Sequence, residues 1–419
     1  MSKSLKNIKG TQDILFDDNN IWQYLESHIH QFLNKYGFSQ IRTPIFENTN
    51  LFSRSIGTQT DIVSKEMYSW TDQGGNNLTL KPEVTASVVR AYIQHNLGKK
   101  YPINKLYYID TLFRRERPQK GRYRQFNQFG VEAIGSAHPE QDAEIIALAY
   151  NFYKSLNIEN LTLKINSIGS EEVRNKYKLE LKKYLIPYKD KLSTLSQKRL
   201  DTNPLRILDT KIDFEIEIIK NAPHIIDFLN KEDKDHFSKV LSLLDSLSIK
   251  YDIDHKLVRG LDYYCRTVFE IQSSKLGSQD ALCGGGRYDY LVEELGGKPT
   301  PAIGFAAGIE RLILSLNKKE LSIFKRPNIY IINTEEKYLE TSFEITESLR
   351  NNNLTVINDT LRRSLKSQMK DANRLKALYT IIIGEDEIKN NKVTIKDMDK
   401  GTQSYVSFDK INSYFLKKQ

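Results

Sequence analysis

The sequence predicts an α+β core containing an antiparallel hairpin, a helical insertion at about 170–250, and a small α/β domain from about 326 onward. Three observations predict this. KLYYIDTLFRRER and RQFNQFGVEAIG are extended runs joined by PQKGRY, the pattern of an antiparallel hairpin with a basic loop. Charged helical stretches, YKLELKKYLIPYKDKL and HFSKVLSLLDSLSIKY among them, fill the insertion. Beyond 326, the strand-like IYIIN, LTVIND, YTIIIGEDEI and KVTIKDM alternate with helical segments, which implies a partly parallel sheet. A chain of 419 residues is too long for one ordinary core. The expected domains are 1–325 and 326–419, with KKELSIFKRPN as the linker.

Taken in order, DDNNIWQYLESHIHQFLNKYGF reads as a helix. Asp and Asn before it serve as caps, Ile21, Trp22, Leu25, Ile29, Phe32, Leu33 and Tyr36 follow helical spacing, and Gly37 closes it. FSQIRTPIFENTNLF reads as extended; Pro44 lacks a ladder donor and belongs at a strand edge or bulge, where one chain often meets another. LTLKPEVTASVVRAYIQHNLG reads as a short strand, a helix from Pro82 and a stop at Gly98. LVRGLDYYCRTVFE reads as a strand, although Arg259, Gly260, Asp262 and Tyr264 are awkward inside one. In ALCGGGRYDYLVEELGG, Gly284, Gly285 and Gly286 precede a helix-like run; the stretch is neither GxxxxGK[ST] nor a dinucleotide fingerprint. In TPAIGFAAGIERLILSL, Gly304, Ala306, Ala307 and Gly308 read as a strand-to-helix turn, with Arg311 in the first helical turn, where the dipole favours an anion. A phosphate site fits that turn, and close helix–strand packing is the alternative.

Composition excludes several classes of function. Hydrophobic residues make up 39%, no apolar run approaches the roughly 18 residues of a membrane span, and MSKSLKNIKGTQDIL lacks a signal-peptide core, so a cytoplasmic protein without membrane contact is expected. Cys265 and Cys283 form no CxxC pair, and the seven histidines are scattered, so no dedicated metal cage is expected. The net charge of +9 suits a polyanionic partner, and equally suits a Lys-rich composition with nothing bound to it. Period-two counting puts Phe126, Gln128, Gly130 and Glu132 on one face of the second hairpin strand, and Arg114 with Glu116 on one face of the first. One sheet can thereby present cationic and carboxylate groups to one pocket; a solvated face with cross-strand ion pairs is the alternative.

LTLKPEVTA, FRRERPQKGRYRQFNQFGVEAIG, LVRGLDYYCRTVFE, GGGRYDYLVEELGG and GFAAGIERL, in this order, resemble the signature segments of bacterial-type histidyl-tRNA synthetases, which are class II aminoacyl-tRNA synthetases. RGLDYY and GGGRYD are the histidine-specific segments, and the likeness runs from KNIKGTQDIL to VTIKDM. The resemblance implies an antiparallel catalytic sheet flanked by helices, a C-terminal anticodon-binding domain, and a homodimer joined through the first helix and the Pro44 strand. ATP and Mg²⁺ are the implied cofactors, L-histidine and tRNA-His the implied partners.

The resemblance also implies residue roles. Arg114 binds the α-phosphate with Glu116 near the adenine amino group, Phe126 and Arg311 sandwich adenine, Arg311 also meets the terminal phosphates, and Arg122 belongs to the ATP site. Glu83, Thr85 and Gln128 receive the α-amino group of histidine. Glu132 and Tyr264 meet the two imidazole nitrogens, with Tyr263 in the same pocket, and Arg259 contacts the substrate carboxylate and the α-phosphate. Arg259, Arg114 and Arg311 form the catalytic set. Because Arg259 and Tyr264 have opposite parity along a regular strand, both reach one pocket only if the chain bulges near Gly260. Two departures occur: Lys81 where the family commonly has Arg, and Val84 where Gly is common. The rival readings are the histidine-binding regulatory subunit of ATP phosphoribosyltransferase, which does not charge tRNA and typically lacks the C-terminal domain, and a nucleic-acid sensor on the same fold.

Overall fold

The computed structural model describes residues 4–57, 60–276, 281–317 and 326–418. The chain divides into two compact units, Met1–Leu321 and Ser322–Gln419. Most of the expected linker, including the expected boundary after residue 325, lies outside the described residues.

In the first unit the strands are β1 (Ser39–Gln40), β2 (Phe46–Asn48), β3 (Tyr68–Thr71), β4 (Asn77–Leu80), β5 (Asn104–Phe113), β6 (Gln125–Ile134), β7 (Leu161–Ser167), β8 (Asp252–Ile253), β9 (Cys265–Ser273), β10 (Ala281–Arg287) and β11 (Ala302–Gly308). Eight form one sheet in the order β1-β5-β6-β11-β10-β9-β7-β8, while β2-β4-β3 form a small sheet apart. The large sheet is antiparallel except at its two ends, where β1–β5 and β7–β8 are parallel. The helices are α1 (Phe16–Lys35), α2 (Thr49–Ile56), α3 (Thr85–Gln94), α4 (Leu97–Lys100), α5 (Pro139–Ser155), α6 (Glu171–Leu185), α7 (Thr194–Thr202), α8 (Asp213–Ile219), α9 (Lys231–Ser246), α10 (Leu291–Glu294) and α11 (Ile309–Ser315).

Alternation along β6 sorts the two faces of the sheet. Phe129, Val131 and Ala133 are wholly buried, and Phe129 packs on Phe152 of α5 with ring centroids 4.7 Å apart. Phe126, Gln128, Gly130 and Glu132 point the other way, as the period predicts. α1 buries Ile21, Trp22, Leu25, Ile29, Phe32 and Leu33 of its predicted stripe, while Tyr36, just past its end, is half-buried, and Gly37 closes it at φ +75°.

Several expected boundaries move. α1 starts at Phe16 without a side-chain cap, so the acidic residues expected as caps lie inside its first turn. FENTNLF is extended only to Asn48, whose side chain accepts a hydrogen bond from the backbone N–H of Asn50 and so opens α2; Pro44 lies between β1 and β2, in neither strand. The helix expected from Pro82 begins at Thr85, and it ends ahead of Asn96, which takes a left-handed turn at φ +49°; Gly98 lies inside α4. Residues 304–308, expected as a strand-to-helix turn, are strand and complete β11, with α11 following directly; residues 284–286 lie inside β10, ahead of the short helix α10. Leu257–Tyr264 is a loop, with β9 beginning only at Cys265, so the parity conflict disappears and no bulge at Gly260 is required.

The insertion packs on the core rather than forming a separate unit. His236 of α9 bonds Asp142 of α5 at 2.8 Å, and Asp142 accepts from Nε of the buried Arg287 at 2.9 Å, which ties the end of β10 to both helices.

The second unit contains β12 (Ile329–Asn333), β13 (Val356–Asn358), β14 (Tyr379–Ile383), β15 (Lys392–Asp397) and β16 (Gln403–Ser407), ordered β13-β12-β14-β15-β16. The first three are parallel and the last two join antiparallel, as the strand–helix alternation implied. Helices α12 (Leu339–Arg350), α13 (Leu365–Arg374), α14 (Glu385–Lys389) and α15 (Ile411–Leu416) accompany them; β16 and α15 were not read from the sequence.

Candidate active site

A cavity of about 500 Å³ opens on the face of β6, β11 and β10 opposite α5, roofed by the loop Leu257–Tyr264 and the segment Asp61–Glu66. Its floor exists because side chains are missing there. Gly130, Ala306, Gly284 and Glu270 lie in one cross-strand row, and Glu132, Gly304, Gly286 and Val268 in the next. A Cβ on Gly284 would collide with the Arg259 guanidinium, and one on Gly304 with the Glu132 carboxylate. Glycine at these positions lets charged groups lie flat against the sheet.

All twelve side chains singled out from the sequence line this one cavity. At one end Glu132 is 1% exposed, accepts a hydrogen bond from Thr85 Oγ1 at 2.7 Å on one oxygen, and takes a short bond from the Tyr288 hydroxyl on the other. Burial pushes its carboxyl up to about 8; the bonds from Tyr288 and Thr85 oppose the rise, and Glu83 adds to it. Burial likewise raises Glu83, whose Oε1 accepts from the backbone N–H of Ala86 at 2.9 Å. Tyr263 and Tyr264 are buried beside them with ring centroids 4.6 Å apart. At neutral pH Glu132 thus presents a protonated carboxyl among phenols.

The other end is cationic. Arg114 lies just past the end of β5 and so does not share a strand face with Glu116, as the period count had it; both belong to the hairpin loop. Its Nε donates to the Pro82 carbonyl at 2.9 Å, and its guanidinium lies over the Phe126 ring at 5.2 Å. Burial lowers the Arg114 pKa, with Glu116, Glu66 and Glu83 opposing. Arg122 stands 3.5 Å from Glu116, and Arg311 lines the wall from the first turn of α11. Between the ends, Arg259 reaches from its loop to Glu270 at 2.7 Å. Gln128 lines the middle from β6.

Sequence reading missed four contributors. Tyr288 locks Glu132, and its signal lay inside GGGRYDY. Glu270, which pairs with Arg259, closes the stretch LVRGLDYYCRTVFE. Glu310 accepts from both the backbone and the side chain of Asn127, which fixes α11 against β6. Arg206 of the insertion also lines the cavity, some fifty positions from Arg259, and no local pattern announced it. The departure at Lys81 is accommodated: its side chain is wholly buried, ion-paired to Asp110 and bonded to the Thr43 carbonyl at 3.2 Å, while Val84 joins the apolar core. Among the described residues no group of three or more His, Cys, Asp or Glu is arranged to hold a metal ion.

An antiparallel sheet of this order, with an arginine-lined cavity beside a buried acid, is what the resemblance to class II aminoacyl-tRNA synthetases implies, and comparison with known proteins bears that class out. Residues 10–312 match the histidyl-tRNA synthetase family and residues 328–418 match the anticodon binding domain family. A histidine–tRNA ligase of Halothermothrix orenii is 49% identical over 401 residues, spanning 95% of this chain and 96% of that protein. One from Staphylococcus aureus is 44% identical over 420 residues, spanning 99% and 100%. The crystal structure of apo S. aureus histidyl-tRNA synthetase superposes with a TM-score of 0.84 at 39% identity, covering 98% of this chain and 100% of that one. The chain belongs to the histidyl-tRNA synthetase family. These relatives lend the regulatory-subunit alternative no support.

Proposed function

We propose that the cavity joins L-histidine to ATP, giving histidyl-adenylate and pyrophosphate, and then passes the histidyl group to the 3′-terminal ribose of tRNA-His. The observation that carries this reading is the meeting, in one cavity, of a neutral buried acid and an arginine-lined end, with Arg259 between them. In the first step a carboxylate oxygen of histidine attacks the α-phosphorus and pyrophosphate leaves. Arg259 and Arg114 supply positive charge to the phosphorus and its oxygens as negative charge develops. Glu132 and Tyr264 bracket the imidazole, one able to donate and the other to accept, while Glu83, Thr85 and Gln128 hold the α-amino group. Phe126 and Arg311 hold the adenine ring between them, with Glu116 and Arg122 at its edge and Tyr263 beside the histidine ring. Mg²⁺ would arrive on the nucleotide's phosphates, where it neutralises the leaving group's charge.

The second unit serves as the anticodon reader, and the site of action is the cytoplasm, in keeping with the finding that no helix among the described residues is long and apolar enough to cross a membrane. A homodimer completes the reading. Phe46 and Trp70 are exposed on the β2-β4-β3 sheet and pack edge to face, Ile45 just ahead of β2 is exposed too, and an apolar patch of this kind suits a second copy. Charging of tRNA-His with labelled histidine tests the function; protein that charges no tRNA in the presence of ATP and histidine overturns it. Light scattering tests the dimer, and a monomeric mass for the full chain contradicts it.

A further inference from the structure

The loop Leu257–Tyr264 carries Arg259, Tyr263 and Tyr264 but lies in no strand or helix, so its position depends on what grips it. On one side the Asp262 backbone N–H donates to the Ile56 carbonyl at 3.3 Å, and the Asp262 carboxylate lies against Gly57. A Cβ on Gly57 would fall 2.5 Å from Asp262 Oδ2, and Gly57 sits at φ +93°, a conformation side chains rarely take. The other grips come from the helical insertion. Arg206 Nη2 donates both to the Gly260 carbonyl at 3.0 Å and to Asp262 Oδ1 at 3.1 Å, and Asn203 Nδ2 donates to the same Oδ1 at 3.0 Å. Arg174 of α6 donates to the Asp262 carbonyl at 3.3 Å and, in a short bond, to that of Tyr264. The Arg206 side chain is only 11% exposed, which keeps water from competing for these bonds.

We propose that the insertion is a working part of the activation site: Arg206, seconded by Asn203, is a positioning residue that fixes Gly260 and Asp262 and through them aims Arg259 and Tyr264. The inference rests on the adenylation reading given above. Arg259 and Tyr264 flank the anchored pair in sequence, so release of Gly260 and Asp262 frees both working groups at once. A displacement near 1 Å at a reacting centre costs up to about a hundredfold in rate. Arg174, Ile56 and, at Arg259 itself, Glu270 would then be left to limit the drift.

The test is histidine-dependent ATP–pyrophosphate exchange by the full chain without tRNA. Arg206→Ala should lower kcat/KM for histidine by about tenfold to a hundredfold, and KM for ATP should stay within about twofold. Because both bonds leave a single nitrogen, Arg206→Lys should recover part of the loss. Asp262→Asn should give a deficit of the same kind, and the double variant should be no worse than the poorer single one. Unchanged exchange in Arg206→Ala, with defective charging of tRNA, would overturn the inference and assign the insertion to tRNA alone. Equal losses for histidine and ATP, tracking a lowered Tm and not relieved by lysine, would overturn it as well. Should Arg206→Ala lose its thermal transition, Asn203→Ala and Asp262→Asn carry the same comparison. Absence of exchange in the unsubstituted protein would sink the adenylation reading itself, a result separate from any of these.

Discussion

The two ends of the cavity are built on opposite physical plans. The Glu132 end is buried, and its acid, raised by burial to about 8, is held between Thr85 and Tyr288. The arginine end is more open, supplied largely by loops and a helix terminus, and charged throughout. A buried pocket of hydrogen-bonding groups discriminates, because an apolar side chain would leave those groups unpaired. A charged, adaptable surface stabilises developing charge without choosing among amino acids. Selectivity and charge stabilisation thus rest on different side chains, even where Arg259 and Tyr264 share one loop, so substitutions at single side chains should separate them.

The largest expected effect is at the charged end. Arg259→Ala should slow single-turnover adenylation by about 10²–10³, the usual consequence of removing one transition-state donor, and Arg259→Lys should recover only part because one ammonium cannot span a carboxylate and a phosphate. A rate within about threefold of the unsubstituted enzyme, under roughly 1 kcal/mol, would make the loop a packing element.

Next comes the neutral end. Glu132→Gln should raise KM for histidine by about two- to tenfold, in keeping with about 0.5–1.5 kcal/mol for a hydrogen bond between neutral groups, and leave KM for ATP nearly unchanged. Equal weakening of both would erase the distinction between the ends.

The hairpin, the four-residue face from Phe126 to Glu132 and the partly parallel C-terminal sheet were legible because each rests on local period and pairing. The central glycines were not: Gly284–Gly286 have the composition of a turn, and only their neighbours in β9 and β11 make them strand. The loop Leu257–Tyr264 has strand-like composition, and tertiary grips from Arg206, Arg174 and Ile56 override it. Tyr288 could be read as a motif residue but not as the partner of Glu132, since that contact joins positions 156 apart.

A smaller effect sharpens the electrostatic side of the comparison. The Glu132 carboxyl titrates at about 8 when folded against an ordinary value near 4.5, so between those limits the folded protein holds a proton that the unfolded chain has lost. Stability of the ligand-free protein should therefore fall as pH rises through this window, and the Tm advantage of Glu132→Gln should grow from pH 5 to pH 9. A constant Tm difference across the range would contradict the raised value. The same titration predicts that KM for histidine rises above about pH 8 in the unsubstituted enzyme and less steeply in Glu132→Gln.

The smallest effect belongs to the aromatic wall. Phe126→Leu should raise KM for ATP a few-fold, in line with about 0.5–1.5 kcal/mol for an aromatic stack, and leave histidine binding as it was. A histidine defect of equal size would place Phe126 at the wrong end.

Coupling of a histidine-selective end to a phosphate-stabilising end within one cavity can be read out in a single assay, ATP–pyrophosphate exchange by the intact chain. Each of the twenty amino acids should be supplied in turn. Exchange should require ATP, appear with histidine and stay at background with the other nineteen, and it should nearly vanish in Arg259→Ala. Exchange absent with histidine, or present alike with several amino acids, would contradict it.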